Sequence, residues 1–352
     1  MFMLERRMDI SRKASSLFVL LSLLLAFFVT GLIFHLLGVD VAQFYSTICN
    51  VFITPALLLQ AVFRSIPIIL ASLGLVVAFR MGFWNIGAEG QIYLGMIAAT
   101  GIVILHVSYG AIPASLMLVA MGVASFLAGG AWCLIPASLK VRLGVNEVLT
   151  TLMLNYIAML FTDYLVYGPW RDPEGWGFAL SIPFPEYATL KYCGNPSTVG
   201  IVISVAVAGF VYFLFKYTKL GFTLSVLGKS SDVAKYAGMQ AGRATLLGSI
   251  ISGGMAGLGG LYVVSGMMGR LRPRASPGYG YTAIIVAMLV QLNPWLILPA
   301  GVFFGGLLTA GDALQSSLRL PFSAITVFQS VIFLCIILAE FFRRYRVVLR
   351  RL

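Results

Sequence analysis

The sequence predicts an all-α polytopic membrane protein with about ten transmembrane helices. Of its 352 residues, 60% are apolar and only 10% are charged, and the mean hydropathy is +0.96. Soluble domains carry roughly 25% charged residues, so a soluble fold is excluded. The apolar residues form long continuous segments. Helices are expected there, because backbone groups in lipid must be satisfied within the segment, whereas short alternating strands would indicate a barrel.

The predicted spans form one transmembrane domain, residues 1–352, of which 15–342 are embedded in the membrane. The first apolar run is too long for a signal peptide and no cleavage site follows it, so we expect it to be retained as a span. Residues 38–60 are interrupted by polar residues and proline, and are assigned to the outer interface or to a re-entrant piece. The spans are 15–37, 61–79, 91–108, 112–137, 147–167, 198–215, 246–266, 281–292, 295–312 and 323–342.

Lysine and arginine predict the orientation. With the N-terminus in the cytoplasm, about seventeen of these residues fall inside and about seven outside. Both termini are then cytoplasmic, as an even number of spans requires. The cluster Arg270, Arg272 and Arg274 is the exception, which either contacts an outer partner or shows that the spans near it are misplaced. The net charge of +12 thus indicates topology rather than nucleic-acid binding.

Two loops are long enough to carry function. Residues 168–197 contain several aromatic residues and five prolines. They suit an ordered outer lid or docking surface, although the aromatic residues equally suit the interfacial belt. Residues 216–245 are polar and basic and form the predicted cytoplasmic loop. The four cysteines lie far apart without a CxxC pair, so neither a disulfide framework nor a metal site is predicted.

The junction between the second and third predicted spans concentrates polar side chains and glycines. Phe83, Trp84, Asn85, Glu89 and Gln91 lie here, with three glycines among residues 79–91. Polar groups within the membrane are costly and usually mark a pathway or a gate, so we interpret this junction as an unwound part of a translocation route. The alternative is a cytoplasmic turn with an acid near the N-terminus of the next helix.

Two further residues bear on this junction. Arg80 is the basic residue that the sequence offers to neutralise Glu89, and Asn155 in the fifth span is expected to point into the bundle. These side chains are mostly neutral, which fits an uncharged polar solute better than an ion. The sequence also lacks the series of intramembrane acidic residues that a proton-driven carrier would use. The predicted pathway or gate residues are Phe83, Trp84, Asn85, Glu89, Gln91 and Asn155.

The cytoplasmic loop offers two motifs. The tripeptide Gly228-Lys229-Ser230 resembles the end of a phosphate-binding loop, but the preceding glycine, Gly221, is too far upstream and no strand comes before it. We therefore predict no catalytic residue, cofactor or metal, and energy must come from a partner subunit or an ion gradient. Ala234 and Gly238 stand four apart, where small residues would let another backbone approach, and Gly238 suits a helix C-cap. A docking segment and an ordinary connecting helix both remain open.

Several of these motifs occur together, in order, in a known family. Residues 60–315, roughly, resemble permease subunits of nucleoside-type ABC importers, which belong with the ribose and branched-chain amino acid permeases. One of the matching segments contains Gly253 and Gly257, a GxxxG pattern that predicts close helix packing. The matching segments are NIGAEGQ at 85–91, NEV at 146–148, LMLNY at 152–156, SGGMAGLGG at 252–260, GYGY at 278–281, IVAML at 285–289 and NP at 293–294.

The resemblance implies a fold, an activity and partners. The fold is the ten-span bundle of type II importers, and the activity is ATP-driven import of a nucleoside or related simple sugar. Asp232, Ala234 and Gly238 fall on the family's coupling segment, although Asp232 and Val233 replace its usual first residues. The implied partners are cytoplasmic ATP-binding subunits, a second related permease and an extracytoplasmic substrate-binding protein or lipoprotein. The implied location is the plasma membrane of a bacterium or archaeon.

The alternative function is an ion-coupled secondary carrier of a small polar solute. Such a carrier needs an intramembrane acid, and Glu89 is the one strong candidate in the sequence. The sequence does not select among the nucleosides and sugars.

Overall fold

The computed structural model describes residues 2–6, 12–36, 38–110, 112–175, 177–318 and 345–349, with scattered positions between 327 and 341. It divides into two compact units. One comprises Val62–Phe304, and the other comprises Met1–Ala61 with Gly305–Leu352.

Helices make up most of the described chain. One long helix, α10 (Ala241–Leu261), continues as a π-helix over Tyr262–Met268. The helices are α1 (Arg12–Leu36), α2 (Val41–Ile53), α3 (Pro55–Arg80), α4 (Ala88–Tyr109), α5 (Met117–Leu143), α6 (Glu147–Tyr167), α7 (Pro196–Tyr217), α8 (Lys219–Lys229), α9 (Ser231–Tyr236), α10 (Ala241–Leu261), α11 (Tyr279–Leu289) and α12 (Pro294–Leu318), with short 3-10 helices at Ala114–Leu116, Glu186–Ala188 and Leu190–Cys193.

The chain ends add a small exception to the all-α class. Strand β1 (Phe2–Arg6) pairs antiparallel with strand β2 (Tyr345–Leu349), so that Phe2 lies opposite Leu349. The predicted helical class therefore holds for the body of the chain but not for these two segments.

Seven helices in the described part are long and apolar enough to cross a membrane. They correspond to the predicted spans two to seven and nine, and they are Pro55–Arg80, Ala88–Tyr109, Ala114–Leu143, Glu147–Tyr167, Pro196–Tyr217, Ala241–Met268 and Pro294–Ser317. The predicted span 323–342 lies largely outside the described residues. The count of about ten spans therefore stays a prediction.

Two apolar helices are too short to span. The 13 residues of α2 reach about 20 Å and the 11 residues of α11 about 16 Å, against a hydrocarbon thickness of roughly 30 Å. Asp40 caps α2 by accepting the Ala42 N–H at 2.8 Å, which explains why the interrupted segment 38–60 starts a helix there. The predicted span 281–292 corresponds to α11, a half-length helix.

Helix α10 packs closely against two neighbouring helices. A Cβ atom at Gly253 or Gly257 would overlap the backbone of α5 around Ser125 and Gly129, and one at Gly95 of α4 would overlap the backbone of Gly257. Small residues allow such approach within a membrane bundle. The close packing predicted from Gly253 and Gly257 is confirmed.

The 168–197 loop is ordered against the segment that follows α10. The Phe184 N–H donates to the Gly269 carbonyl at 2.8 Å, and the Ser181 N–H donates to the Leu271 carbonyl at 3.1 Å. Further along the loop, Leu190 is buried in an apolar cluster with Tyr262 of the π-helix. These bonds and contacts fix the loop to the end of the longest buried helix.

Candidate functional site

The junction of α3 and α4 lies inside the helical bundle. Helix α3 ends at Arg80, α4 begins at Ala88, and residues 81–87 are non-helical. The Asn85 side chain donates to the Ser252 hydroxyl at 3.3 Å, and Ser252 lies about 16 Å along α10 from its first residue. The Asn85 side chain therefore reaches the middle of α10, while the backbone of Trp84 and Ile86 lies beside the first turns of α6.

Asn85 and Gln91 form a reciprocal amide pair that closes the junction. The Asn85 Nδ2 donates to Gln91 Oε1 at 3.1 Å, and the Gln91 Nε2 donates to Asn85 Oδ1 at 3.0 Å. Asn85 Oδ1 also accepts the Gly87 N–H at 2.9 Å. Both amide side chains are buried, so these bonds satisfy groups that water does not reach. The pair holds the first turn of α4 to the loop that precedes it.

Asn155 of α6 bonds to the same junction. Its Oδ1 accepts the Gly90 N–H at 2.8 Å, and its Nδ2 donates to the Ile86 carbonyl at 2.9 Å and to the Tyr281 hydroxyl at 3.3 Å. Thr151, one turn earlier, accepts the Ile86 N–H at 3.2 Å. The expectation that Asn155 points into the bundle is met by this geometry. Three helices, α4, α6 and α11, therefore meet at one buried asparagine.

Glu89 contacts the N-terminus of α11. Its side chain is 2% exposed, and its Oε2 accepts the Gly280 N–H at 2.7 Å. A Cβ at Gly280 would overlap the backbone of Ala88 and Glu89, so the two helices meet backbone to backbone. A carboxylate beside a helix N-terminus meets free N–H groups and the positive end of the helix dipole.

Arg80 does not neutralise Glu89, and that sequence-based expectation is wrong. Its guanidinium donates to the Leu292 carbonyl at 2.8 Å and lies 4.5 Å from the centroid of the Phe215 ring. Leu292 has a φ of 60°, a conformation that costs on the order of 1–3 kcal/mol in a non-glycine residue. Arg80 thus stabilises the strained turn between α11 and α12 instead of pairing with the acid.

Phe83 and Trp84 lie apart from the amide network. Phe83 is buried, with the Lys140 ammonium 5.5 Å from its ring centroid. Trp84 is 46% exposed and packs at 5.3 Å against Phe79. Lys140 forms an ion pair with Glu147 and donates to the Gly82 carbonyl at 3.2 Å. The structure therefore brings together Asn85, Glu89, Gln91 and Asn155 but not the two aromatic residues.

Apart from the Glu89 carboxylate, the side chains at this site are neutral hydrogen-bond donors and acceptors. Sequence reasoning named the amides and the acid but missed Thr151, Ser252 and Tyr281, which complete the network. A signal was present for two of them, since Ser252 and Tyr281 stand in the segments that carried the family resemblance. Within the described ranges, no group of three histidine, cysteine or acidic side chains is arranged to hold a metal ion.

The predicted docking segment is a six-residue helix, α9, that ends in a complete Schellman motif. Gly238 has a φ of 69°, its N–H donates to the Lys235 carbonyl, and the Met239 N–H donates to the Ala234 carbonyl, each at 3.0 Å. Because Gly238 lies beyond the helix and Ala234 is fully buried, the expected shared face of small residues is wrong. The exposed surface of α9 carries Asp232, Val233 and Tyr236 instead, and Tyr236 is 94% exposed.

The structure explains the tripeptide that resembles a phosphate-binding loop. Gly228 lies against the end of α3, where a Cβ would overlap the Arg80 carbonyl oxygen. Ser230 caps α9 by accepting the Val233 N–H at 3.3 Å. The end of α8 therefore touches the start of the α3–α4 junction. Sequence reasoning considered Gly228 only as a nucleotide motif and missed this contact.

Known proteins provide an independent comparison. A family model described as branched-chain amino acid transport system / permease component matches residues 57–339. The glucose ABC transporter permease protein TsgB13 of Haloferax volcanii is 33% identical over 340 residues, 93% of this chain and 88% of that protein. The guanosine ABC transporter permease protein NupP of Bacillus subtilis is 30% identical over 308 residues, 85% and 86% of the two chains. The guanosine ABC transporter permease protein NupQ of the same organism is 26% identical over 285 residues, 76% and 82% of the two.

Proposed function

This chain belongs to the family of branched-chain amino acid transport system permease components, and from that membership we propose that it imports a nucleoside or a related simple sugar. It is a multi-pass membrane protein and the permease subunit of an ABC importer, and ATP hydrolysis takes place in a separate subunit. The observation that carries the solute class is the similarity, over most of the chain, to a glucose permease and a guanosine permease.

The geometry of the junction supports an uncharged solute. The groups that meet there are two asparagines, a glutamine and three hydroxyls, all hydrogen-bonded within the protein. The two charged residues nearby, Arg80 and Glu89, bond to backbone groups. Apart from Glu89, whose carboxylate accepts a backbone N–H of α11, a pathway beside this junction presents dipoles, which suits a hydroxyl-rich solute better than an ion.

The working complex contains two permease subunits, ATP-binding subunits and an extracytoplasmic substrate-binding protein or lipoprotein. NupP and NupQ carry the same description in one organism and both resemble this chain, which supports a heterodimer of related permeases. The substrate-binding protein docks on residues 168–197 and 267–280. Arg270, Arg272 and Arg274 lie in the second of these segments and give it a positive surface.

The topology is the ten-span bundle of a type II importer with both termini in the cytoplasm. The antiparallel pairing of β1 with β2 brings the two ends of the chain together, which supports their location on one side. The excess of lysine and arginine in the cytoplasmic loops supports the same orientation. The protein lies in the plasma membrane of a bacterium or archaeon, and residues 216–245 face the ATPase.

Import is coupled to ATP through α8 and α9. The ATP-binding subunit contacts the exposed surface of α9 around Asp232, Tyr236 and Gly238. Its movement reaches the gate at residues 83–91 through the contact between Gly228 and the end of α3. Asn85, Glu89, Gln91 and Asn155 hold the junction closed until that movement occurs, with Phe83 and Trp84 at its edge.

Reconstitution tests this function directly. Liposomes that contain the permease pair and the ATPase are supplied with the substrate-binding protein and labelled guanosine, uridine, ribose or glucose. We expect uptake of a nucleoside or a sugar that requires ATP and the substrate-binding protein. Accumulation by liposomes that contain this chain alone, driven by an ion gradient, would establish the secondary carrier instead.

A further inference from the structure

The turn between α5 and α6 carries an ion pair. Helix α5 ends at Leu143 and α6 begins at Glu147, so only three residues connect the two helices. Lys140, in the last turn of α5, forms an ion pair with Glu147. The helix dipoles favour a cation at the end of α5 and an anion at the start of α6. A pair that only stabilises this turn is therefore the simplest explanation, but the contacts of both side chains extend further.

Both members of the pair also bond to the backbone of the α3–α4 junction. The Lys140 ammonium donates to the Gly82 carbonyl at 3.2 Å, and the Trp84 N–H donates to Glu147 Oε1 at 3.4 Å. The Lys140 ammonium also lies 5.5 Å from the centroid of the Phe83 ring, within the range of a cation–π contact. The pair therefore contacts three consecutive residues of the junction, which stand 58 to 63 positions earlier in the chain.

The pair lies beside the buried amide network rather than within it. The side chains of Lys140 and Glu147 are 34% and 12% exposed and stand at the ends of membrane-spanning helices, whereas Asn85 and Gln91 are buried. Charges that water partly reaches can separate at a small cost, because water replaces the lost partner. Separating the amide pair would leave buried polar groups unsatisfied, which costs more. The ion pair is thus the part of the junction that is easiest to release and to restore.

The pair is also close to the segment proposed to meet the ATPase. Only four residues separate the end of α9 from the start of α10. A Cβ at Gly242, the second residue of α10, would lie 3.1 Å from the Cγ1 atom of Val141, which follows Lys140 in α5. A displacement of α9 that moves the start of α10 therefore reaches the residue next to the pair. This path is separate from the contact between α8 and α3.

We propose that Lys140 and Glu147 are positioning residues that form a latch on the α3–α4 junction during ATP-driven import. The latch holds the backbone of residues 82–84 against the ends of α5 and α6. A movement of α9 separates the two charges and releases that backbone. The inference rests on the proposed import function and adds the groups that hold the gate on its partly exposed side, opposite the buried amide network.

Transport by variant complexes tests the latch, with a matched control in the same helix turn. Lys140→Met removes the ammonium group, and Arg142→Met removes an exposed positive charge from the same turn of α5, which controls for the helix dipole and for topology. With guanosine or glucose, whichever the wild-type complex imports, solute imported per ATP hydrolysed should fall about fivefold in Lys140→Met only. Lys140→Arg keeps the charge and the donors and should restore most of the coupling.

Glu147→Gln extends the test to the other half of the pair. Glutamine still accepts the Trp84 N–H but cannot form the ion pair, so coupling should fall by a similar factor. In the double variant Lys140→Met with Glu147→Gln, the loss should be no greater than in either single variant, because both changes remove the same interaction. A double loss equal to the product of the two single losses would overturn the latch, since the residues would then act separately.

Backbone hydrogen exchange provides a measurement that does not need transport. The peptide that covers residues 81–87 should exchange about fivefold faster in Lys140→Met than in wild type or Arg142→Met, because the carboxylate that accepts the Trp84 N–H is no longer fixed. In the wild-type complex, the same exchange should rise between about 0.1 M and 1 M salt, since salt screens a partly exposed pair. The salt series decides the question if Lys140→Met fails to assemble.

The outcomes separate the two proposals. Normal coupling in Lys140→Met, or an equal loss in Arg142→Met, overturns the latch and leaves import intact. Exchange of residues 81–87 that changes neither with the variant nor with salt also overturns it, and assigns the ion pair to the α5–α6 turn alone. A wild-type complex that imports none of the four solutes overturns the proposed function itself, while the exchange of residues 81–87 still tests whether the pair holds the junction.

Discussion

Gly228 at the end of α8 lies directly against the backbone carbonyl of Arg80 at the end of α3, with no room for a side chain between them. The segment proposed to bind the ATPase and the junction proposed as the gate are therefore in direct contact here. From Arg80 the guanidinium reaches the Leu292 carbonyl at 2.8 Å, so the same residue also holds the turn between α11 and α12. A displacement of α8 therefore acts on two neighbouring elements through one residue.

Gly228→Ala should disrupt this contact. The added methyl group would overlap the Arg80 oxygen, and overpacking of this kind costs about 1–3 kcal/mol. We expect the variant complex to assemble but to lose most ATP-driven uptake, because α8 can no longer seat on α3. Solute uptake and ATP hydrolysis are measured on the same liposomes. Loss of coupling between the two should lower solute uptake more than ATP hydrolysis.

Gly209→Ala provides the matched control. Gly209 also lies in a helix, and the nearest atom to its added methyl would be 4.0 Å away, on Trp295. Alanine there should be neutral or slightly stabilising, by up to about 1 kcal/mol. Equal behaviour of the two variants would show that the close contact at Gly228 has no part in coupling.

Asn85 and Gln91 should show a strong energetic coupling. Asn85→Ala leaves the Gln91 amide, the Ser252 hydroxyl and the Gly87 N–H without partners, at a cost of about 1–3 kcal/mol for a buried polar group. Gln91→Ala removes the other half of the pair. In a double-mutant cycle of unfolding free energy, measured by denaturant titration in detergent, we expect an interaction of about 0.5–3 kcal/mol.

The pair Asn85 and Ser204 provides a control for the double-mutant cycle. The Ser204 hydroxyl on α7 is buried but forms no hydrogen bond in the described part of the chain. Asn85→Ala combined with Ser204→Ala should be additive within about 0.5 kcal/mol. An additive result for Asn85 with Gln91 as well would mean that the amide pair does not hold the junction.

Much of the helical body was predictable because its signals are local. Long apolar runs require helix in lipid, and six predicted spans in the larger unit correspond to helices long and apolar enough to cross. Close packing at Gly253 and Gly257 followed from their spacing, since only small residues permit such contact. Asn155 could be placed inside the bundle because its amide lies in the middle of a span, where a polar side chain needs hydrogen-bond partners.

The relations between distant segments were not predictable from one sequence. Proximity in the chain suggested that Arg80 pairs with Glu89, but each bonds instead to a residue about two hundred positions away, Leu292 and Gly280. Spacing suggested that Ala234 and Gly238 share a face, but the helix ends between them and Ala234 is buried. The first error arose because tertiary contacts decide where Arg80 and Glu89 bond, and the second arose because a local Schellman motif ends α9 before Gly238.

Glu89 variants distinguish a structural acid from a coupling acid. Glu89→Gln retains an oxygen to accept the Gly280 N–H but loses the charge, which is worth about 0.3–2 kcal/mol beside a helix N-terminus. We expect ATP-driven uptake within about threefold of wild type. Glu89→Ala removes the acceptor altogether and should lower both uptake and thermal stability. If glutamine abolishes accumulation as completely as alanine does, Glu89 acts as the proton-coupling acid that the secondary carrier requires.

Gly238→Trp tests the docking surface on α9. The glycine is exposed with a φ of 69°, and no atom lies within 4 Å of the position of its Cβ, so the fold itself has room for an indole. We expect loss of uptake and of solute-stimulated ATP hydrolysis, because the ring blocks the approach of the ATP-binding subunit. Binding of the substrate-binding protein, measured on the opposite side of the membrane, should be unchanged.

Backbone strain is the competing explanation, and Gly110 controls for it. Gly110 ends α4 with a φ of 64° and equally open surroundings, so tryptophan there meets the same conformational cost of about 1–2 kcal/mol. The proposed topology places Gly110 on the outer side, away from the ATPase. Gly110→Trp should therefore retain ATP-driven uptake, and an equal loss in both variants would assign the effect to strain and remove the evidence for docking at α9.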